Sequence, residues 1–307
     1  MRFKAKNLLI VLGPTSVGKS ATAIKIAHKF NGEIINCDSM QVYRGFDIGT
    51  DKVPLHIRKI IPHHLLDIVE PSVQFTAADF VQRALDAVHS ILNRKKLPLI
   101  VGGTGLYLKA LLDGLFPEGK SNPEIRRELE KKASEKGLEY LRKKLSEADP
   151  VYCQKIGKND KIRIIRALEV YCTTRKPISE HFQNTRSFVK DFHTLKIGLK
   201  LKKDVLYRKI EERVDKMFEK GIVEETRNLL ASGVSEDSPP FRALGYKHVI
   251  KFLKNELTLE QAVHLTKKDT RHYAKRQMTW FRKMEGIQWF YPHRFSSIVE
   301  YINTDLK

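Results

Sequence analysis

The chain opens on an alternation of short apolar runs and amphipathic stretches. NLLIVL, residues 7–12, is rich in β-formers and closed by Gly13, the pattern of a buried strand. Lys19 to Phe30 sets Ala23, Ile24, Ala27 and Phe30 at helical spacing before Asn31-Gly32 stops it. EIINC, 33–37, reads as a second strand. A helix from Ala77 to Leu92 gathers Phe80, Ala84, Ala87, Val88 and Ile91 on one face, and LPLIVGG, 97–103, is a third strand running into glycines. Strand, helix, strand, helix, strand predicts an α/β core: a parallel sheet with right-handed crossovers and helices on both faces.

After about Leu115 the texture changes. Asn122-Pro123-Glu124 is a helix start, with Pro suited to the first turn, and Ile125, Leu129 and Ala133 line one face. A second helix groups Leu138, Leu141 and Leu145, and a third follows Asn159-Asp160. This predicts a charged helical insertion over 119–190 within a core made of 1–118 and 191–307. HTLKIGLKL, 193–201, returns to a strand pattern. From Asp204 the chain reads mostly as helix, ending in a long basic helix from about Leu259 to Lys283.

Composition narrows the class. At 41% hydrophobic and 30% charged residues the chain is globular, and no apolar run approaches the roughly 20 residues of a membrane span. The start, MRFKAKNLLIVLG, reads as a strand leading into a glycine loop and not as a signal peptide. Cys37, Cys153 and Cys172 lie far apart and form no zinc pattern, which points to a reduced, cytoplasmic setting. The net charge of +20 is uneven: 15 basic against 10 acidic side chains in residues 1–118, and 41 against 26 in the rest. Such an excess predicts a polyanionic partner, nucleic acid first.

The chemistry begins at Gly13, where GPTSVGKS fits G-x-x-x-x-G-K-[ST] between a strand and a helix. Backbone N–H groups of Gly13, Pro14, Thr15, Ser16, Val17, Gly18, Lys19 and Ser20 (all but the proline's) and the helix N-terminus make an anion cradle. Lys19 suits terminal phosphate oxygens and the Ser20 hydroxyl suits Mg²⁺. This P-loop specifies a di- or triphosphate without saying which. A triphosphate-cleaving enzyme usually adds an acid at the end of another core strand. LPLIV instead ends in Gly102-Gly103-Thr104-Gly105. Asp38, directly after EIINC, is the strand-end acid, and it heads the polar, aromatic run Asp38-Ser39-Met40-Gln41-Val42-Tyr43. That run reads as substrate-facing or as a capped turn before a strand; amide, hydroxyl and phenol groups there suit a base. Asp38 as a metal-holding acid keeps a nucleoside or nucleotide kinase open. GGTGLYLKAL, 102–111, is a second glycine turn opening a helix at the same edge, with the Thr104 hydroxyl able to donate to a phosphate.

In order, GPTSVGKS, CDSMQVYRG, IPHHLLD, VGGTGLYLKALL, DKIRIIRALEVY, RALGYK and YAKRQMTWFR resemble the tRNA dimethylallyltransferases (tRNA isopentenyltransferases) in their compact bacterial form, over nearly the whole chain. The resemblance implies transfer of a dimethylallyl group from dimethylallyl diphosphate to N6 of an adenosine beside the tRNA anticodon. On it, the loop holds a pyrophosphate leaving group, stabilised by the amides of 14–20, Lys19, Thr104 and Mg²⁺ near Ser20. It assigns Asp38 to accept the N6 proton and Arg227 to reach the diphosphate. It also implies an enzyme acting as a monomer.

On the tRNA side, Lys267 to Lys283 is dense in Lys and Arg, Lys275 and Arg276 among them, with Tyr273, Trp280 and Phe281 interleaved. Arg126, Arg163 and Arg166 are candidate phosphate contacts on insertion helices, within the stretch Ile162, Arg163, Ile164, Ile165 and Arg166. Arg242, Ala243, Leu244, Gly245, Tyr246 and Lys247 resemble a family RNA-contact turn. An adenine buried in a stacked loop must be extruded, and Ser39, Met40, Gln41 and Thr104 beside Asp38 are the candidates to receive it. Ile162 stands where the family usually has glutamine, and His248 where an acid is more common. His63 and His64 match a family pair and read as structural. Besides the kinase, a non-catalytic RNA-binding ATPase and a prenyltransferase of free adenine nucleotides stay open.

Overall fold

A computed structural model describes residues 6–115 and 122–306. The contacts divide the chain into two compact units, Met1–Lys109 with Asp191–Lys307, and Ala110–Lys190. The boundary expected between 118 and 119 lies outside the described residues.

The first unit runs β1 (Asn7–Leu12), α1 (Lys19–Phe30), β2 (Gly32–Cys37), α2 (Leu55–Ile60), β3 (His63–His64), α3 (Ala77–Asn93), β4 (Leu97–Gly102) and the start of α4 (Gly105–Asp113). The second unit holds the end of α4, then α5 (Pro123–Ala148), α6 (Pro150–Lys155), α7 (Lys161–Thr174) and α8 (Ile178–Gln183). The chain returns to the first unit as β5 (His193–Leu199), α9 (Lys203–Glu219), α10 (Ile222–Ala231), α11 (Leu244–Leu253), α12 (Leu259–Phe281), β6 (Ile287–Phe290) and α13 (Phe295–Asp305).

The six strands form one parallel sheet in the order β3-β2-β4-β1-β5-β6. The step from β1 to β2 passes over β4 in one direction, and the step from β3 over β2 to β4 runs the other way. Right-handed crossovers therefore put α1 and α3 on opposite faces, as the alternation predicted. β1, β2 and β4 are buried along their whole length, which explains their unbroken apolar runs. One face packs Leu9, Val11, Leu99 and Ile197 against Ile26 of α1 and Ile298 and Ile302 of α13. In α1 it is Ile26, not Ile24, that is fully buried; the helix ends on Asn31 in the left-handed region. α3 begins with a capping box, Thr76 against Asp79.

Register decides where the loops emerge. Cys37 pairs with Gly102, Gly102 with Leu12, and Leu12 with Gly198. Four adjacent strands thus end level, so 13–20, 38–43 and 103–105 all start from one edge.

In the second unit, Leu129, Leu141, Leu145, Ile164, Ile165 and Leu168 share one apolar cluster. Asn122 caps α5 by accepting from the N–H groups of Glu124 and Ile125, and Gly137 breaks the helix into the two expected segments. α2, β3, α6, α8, β6 and α13 did not stand out in the pattern. All but α13 are six residues or shorter, too short to display a period.

One ionic cluster joins the edge of the sheet. Glu33 on β2, 3% exposed, takes Arg94 at 2.6 Å, Lys96 at 2.9 Å and His64 at 2.7 Å. Burial opposes its charge, but the hydrogen bonds from Arg94, Lys96 and His64 outweigh it and hold the carboxyl down at about 2. A carboxyl depressed below its unfolded value of 4.5 contributes stability at neutral pH that is lost as pH falls from about 4.5 to about 2. Glu33→Gln is expected to cost about 1–2 kcal/mol at pH 7, moderated because the three cations are partly solvated. The loss should shrink towards pH 2; urea unfolding across that range measures it.

Candidate active site

The level strand ends open into one cleft of about 500 Å³. Its floor is the glycine loop: Thr15, Ser16, Gly18, Lys19 and Ser20 line it, while Gly13, Pro14 and Val17 turn inward as the buried base of the loop. Ser16 takes a left-handed φ of 62°, and its Oγ is buried without a hydrogen-bond partner among the described residues. An orphaned buried hydroxyl inside a ring of amides is a site waiting for an acceptor. Lys19 Nζ donates to Pro14 O at 2.8 Å. Burial, then the nearby Arg213 guanidinium, bring its pKa down to about 8, against the pull of Asp38.

Asp38 is half-buried at the end of β2 and lines the same cleft. Its Oδ1 accepts from the N–H groups of Met40 at 2.8 Å and Gln41 at 3.3 Å. The capped turn and the cleft-facing carboxylate are thus the same feature: two amides fix one oxygen and leave Oδ2 without a hydrogen bond among the described residues. Cys37, one residue earlier, is held as a thiol by burial and by Asp38.

The sequence-predicted neighbours divide. Gln41 lines the cleft, but its Nε2 is spent on Thr50 O at 2.9 Å. Ser39 and Met40 do not line it. Thr104 Oγ1 accepts from the Ser39 N–H at 3.2 Å and also meets the Tyr273 hydroxyl. Tyr273 lines the cleft from α12, and burial, then the Asp38 charge, push its phenol well above its ordinary value. The phenol therefore stays protonated and is not a base. His63 also lines the cleft, whereas His64 serves the Glu33 cluster.

Two residues that sequence reasoning missed organise the site. Gln277 of α12 accepts from the Thr15 N–H at 2.8 Å and donates to Gly103 O at 2.9 Å, so one buried amide ties the two glycine loops together. Arg213 of α9 reaches Thr15 Oγ1 at 2.5 Å and Asp51 at 3.3 Å. Nothing in their spacing marks them, because each arrives from a distant helix. The glycines of GGTG are also explained by α12: a Cβ on Gly103 would stand 2.2 Å from Gln277 Nε2, and one on Gly105 2.6 Å from Trp280.

Arg227 is not brought to the cleft. It lies on α10, exposed and paired with Glu224, because α10 turns Ile222 and Thr226 inward and leaves Arg227 outside.

On the nucleic-acid side, Lys275 and Arg276 are exposed on α12, Arg276 lying 5.8 Å from the Tyr273 ring centroid. Lys267 and Arg271 are instead paired to Asp215 and Glu211 of α9, and Phe281 is core. Arg242 is exposed; Ala243 and Leu244 are half-buried. Gly245 and Tyr246 are buried, and Tyr246 Oη donates to Glu225 at 2.5 Å. They shape the turn from within instead of facing a partner. Lys247 and His248 share Asp269. In the second unit, Arg126 is half-buried and paired to Glu130, Arg163 is exposed and paired to Asp160, and Arg166 holds Glu169. Ile162 is 72% exposed, but Ile164 and Ile165 are buried in that unit's core. This overturns their placement at an RNA surface, since α7 is amphipathic and turns them inward.

Among the described residues no three His, Cys, Asp or Glu side chains converge as a metal site, and no helix is long and apolar enough to cross a membrane.

Residues 41–284 match the family model described as IPP transferase. The chain is 47% identical over 298 residues to tRNA dimethylallyltransferase 2 of Geotalea uraniireducens, covering 96% of each. It is 47% identical over 287 residues to the tRNA dimethylallyltransferase of Carboxydothermus hydrogenoformans, covering 93% of this chain and 92% of that one. Among solved structures, the tRNA isopentenylpyrophosphate transferase of Bacillus halodurans matches with a TM-score of 0.72 at 37% identity, over 98% of this chain and 97% of that one. A eukaryotic dimethylallyltransferase caught acting on tRNA matches with a TM-score of 0.81 at 33% identity, over 93% of this chain and 73% of that one.

The bridging amide is directly testable. Gln277→Leu keeps the volume but orphans the Thr15 N–H and the Gly103 carbonyl, at about 1–3 kcal/mol for each buried group. A lower thermal midpoint and weaker pyrophosphate binding by calorimetry are expected together. Neither would change if the two loops held themselves.

Proposed function

The chain belongs to the IPP transferase family, and from that premise we propose that it transfers a dimethylallyl group from dimethylallyl diphosphate to N6 of an adenosine beside the tRNA anticodon. The observation that carries this reading is the meeting, in one cleft, of an anion cradle and a half-free carboxylate, with Gly-Gly-Thr and no acid at the end of β4. That arrangement suits a diphosphate that leaves as a unit.

An allylic C1–O bond breaks readily because the carbon skeleton delocalises positive charge. The cradle amides, Lys19 and the Ser16 hydroxyl would take up the negative charge that builds on the departing diphosphate, in a geometry set before the reaction. Ile34, Leu66, Val101 and Met217 line the cleft and suit a five-carbon chain. The N6–C1 bond forms as C1–O breaks, and Asp38 Oδ2 accepts the N6 proton. The Thr104 hydroxyl, which accepts from the Ser39 N–H and meets the Tyr273 hydroxyl, ties the second glycine turn to the turn that follows Asp38.

The donor set fits Mg²⁺: Ser20 is exposed at the first turn of α1, and Mg²⁺ on a diphosphate needs few protein ligands, the rest coming from phosphate oxygens and water. Bound there, it would neutralise charge on the leaving group. A kinase is not favoured, and the large basic excess is more than a free nucleotide requires. The exposed cations of α12 supply phosphate contacts for a tRNA bound by a monomer.

Purified protein with labelled dimethylallyl diphosphate, Mg²⁺ and unmodified tRNA should place label in the tRNA and not in AMP run in parallel; equal label in AMP sinks the reading. Asp38→Asn should lose about 10²- to 10⁴-fold in turnover while tRNA affinity stays within a few-fold. Survival of turnover would remove Asp38 as the base. Replacing Lys275 and Arg276 together by Ala should weaken tRNA binding and flatten its log–log salt dependence by roughly one to two units.

A further inference from the structure

The stretch 47–53, between the Asp38 turn and α2, is held from outside by one side chain. Glu225 of α10 accepts from three consecutive backbone N–H groups: Asp47 at 3.1 Å, Ile48 at 2.8 Å and Gly49 at 3.3 Å. Tyr246 Oη donates to the same carboxylate at 2.5 Å and accepts from the Gly49 N–H at 3.2 Å. Successive amides that face one way form a concave nest that takes an anion. Here the anion is a side chain, and the groups that donate to it are all uncharged. Its charge is spent on this backbone and on the phenol, in bonds roughly twice as strong as neutral ones. The packing leaves little slack. A Cβ on Gly49 would stand 2.5 Å from Tyr246 Cζ, and Phe46 meets the Tyr246 ring edge-on at 5.0 Å.

This stretch is a wall of the cleft, which Asp47, Ile48, Asp51, Lys52 and Val53 line. It also fixes a side chain that enters the cleft from the Asp38 turn. Thr50 O and Asp51 O accept from Gln41 Nε2 at 2.9 and 3.4 Å. Two carbonyls on one amide nitrogen decide which way the amide faces. They leave the Gln41 oxygen without a hydrogen bond among the described residues, in a side chain that lines the cleft. We propose that Glu225 is a positioning residue for prenyl transfer: by holding the 47–49 amides it sets the Thr50 and Asp51 carbonyls, and through them it presents the Gln41 oxygen as an acceptor to the base that enters beside Asp38. The proposal rests on the reading that a tRNA adenosine is the acceptor substrate. It gives α10 a part in the chemistry although the arginine of that helix faces away from the cleft.

A double-mutant cycle on the full chain tests it, with kcat for tRNA prenylation, tRNA affinity and thermal midpoint measured for Glu225→Gln, Gln41→Ala and the pair. Glu225→Gln keeps the volume but turns an NH₂ group on the amides it should receive. It is expected to lower kcat about 10- to 100-fold, with tRNA affinity within a few-fold of the parent chain. In the Gln41→Ala background the same change should lower kcat by no more than about twofold, while its cost in thermal midpoint is the same in both backgrounds. Losses in kcat that multiply would make Glu225 a brace for the fold and overturn the proposal. So would a Glu225→Gln variant with kcat within about twofold of the parent. Should Glu225→Gln not fold, Tyr246→Phe takes its place in the cycle; it keeps the ring and removes one donor, and about 3- to 10-fold in kcat is expected, again only where Gln41 is present. A parent chain that puts no prenyl group on tRNA sinks the functional reading and this proposal with it, whereas an active parent with multiplying losses sinks this proposal alone.

Discussion

One buried amide holds the chemistry together. Gln277 accepts from Thr15 in the first glycine loop and donates to Gly103 in the second, and without it two adjacent turns would have to find their own orientation. The amide has no charge to neutralise, and it satisfies a backbone N–H and a backbone C=O that would otherwise be buried unpaired. It also accounts for glycine at position 103, where a Cβ would stand 2.2 Å from the Gln277 Nε2 and displace it from its bonds. The helix that carries it presents Tyr273 to the cleft on the same face and leaves Lys275 and Arg276 outside. The groups that shape the cleft and the groups suited to an RNA backbone are thus fixed to one another by a single rigid element.

Electrostatics do the remaining work. The net charge of +20 is partly consumed within the protein: Lys267 and Arg271 pin α12 to α9, Lys247 is held by Asp269, and Arg94 and Lys96 neutralise Glu33. What faces the cleft is different in kind. Lys19 and Arg213 approach each other with Asp38 and Asp51 as the counter-charges beside them, a balance that favours an anionic guest.

Much of this was legible in the sequence where the cause is local. β1, β2 and β4 read as strands because burial on both faces leaves no polar alternation. The glycine loop and Asp38 follow directly from strands that end level. The Asn122 cap acts within three residues of itself. The site residues that escaped, Arg213 and Gln277, are brought in by tertiary packing from more than 150 residues away, and Tyr273, read only as an aromatic among the basic residues of α12, reaches the cleft in the same way. α9 and α10 both carry an arginine among acids, EERVDKM and EETRNLL, and nothing local says which of them faces the cleft. Ile164 and Ile165 are another case. The helical period of KIRIIR already separates inward isoleucines from outward arginines, and treating the run as one contact surface ignored it.

The most direct test of the account is a crystal structure of the protein with a non-reactive thiolo-diphosphate analogue of the donor and an anticodon stem-loop. The account predicts the diphosphate on the amides of the glycine loop, the five-carbon chain pointing away from them, and an extruded adenine whose N6 lies within hydrogen-bond reach of Asp38 Oδ2. A diphosphate bound elsewhere, or an adenine N6 facing away from Asp38, would contradict it.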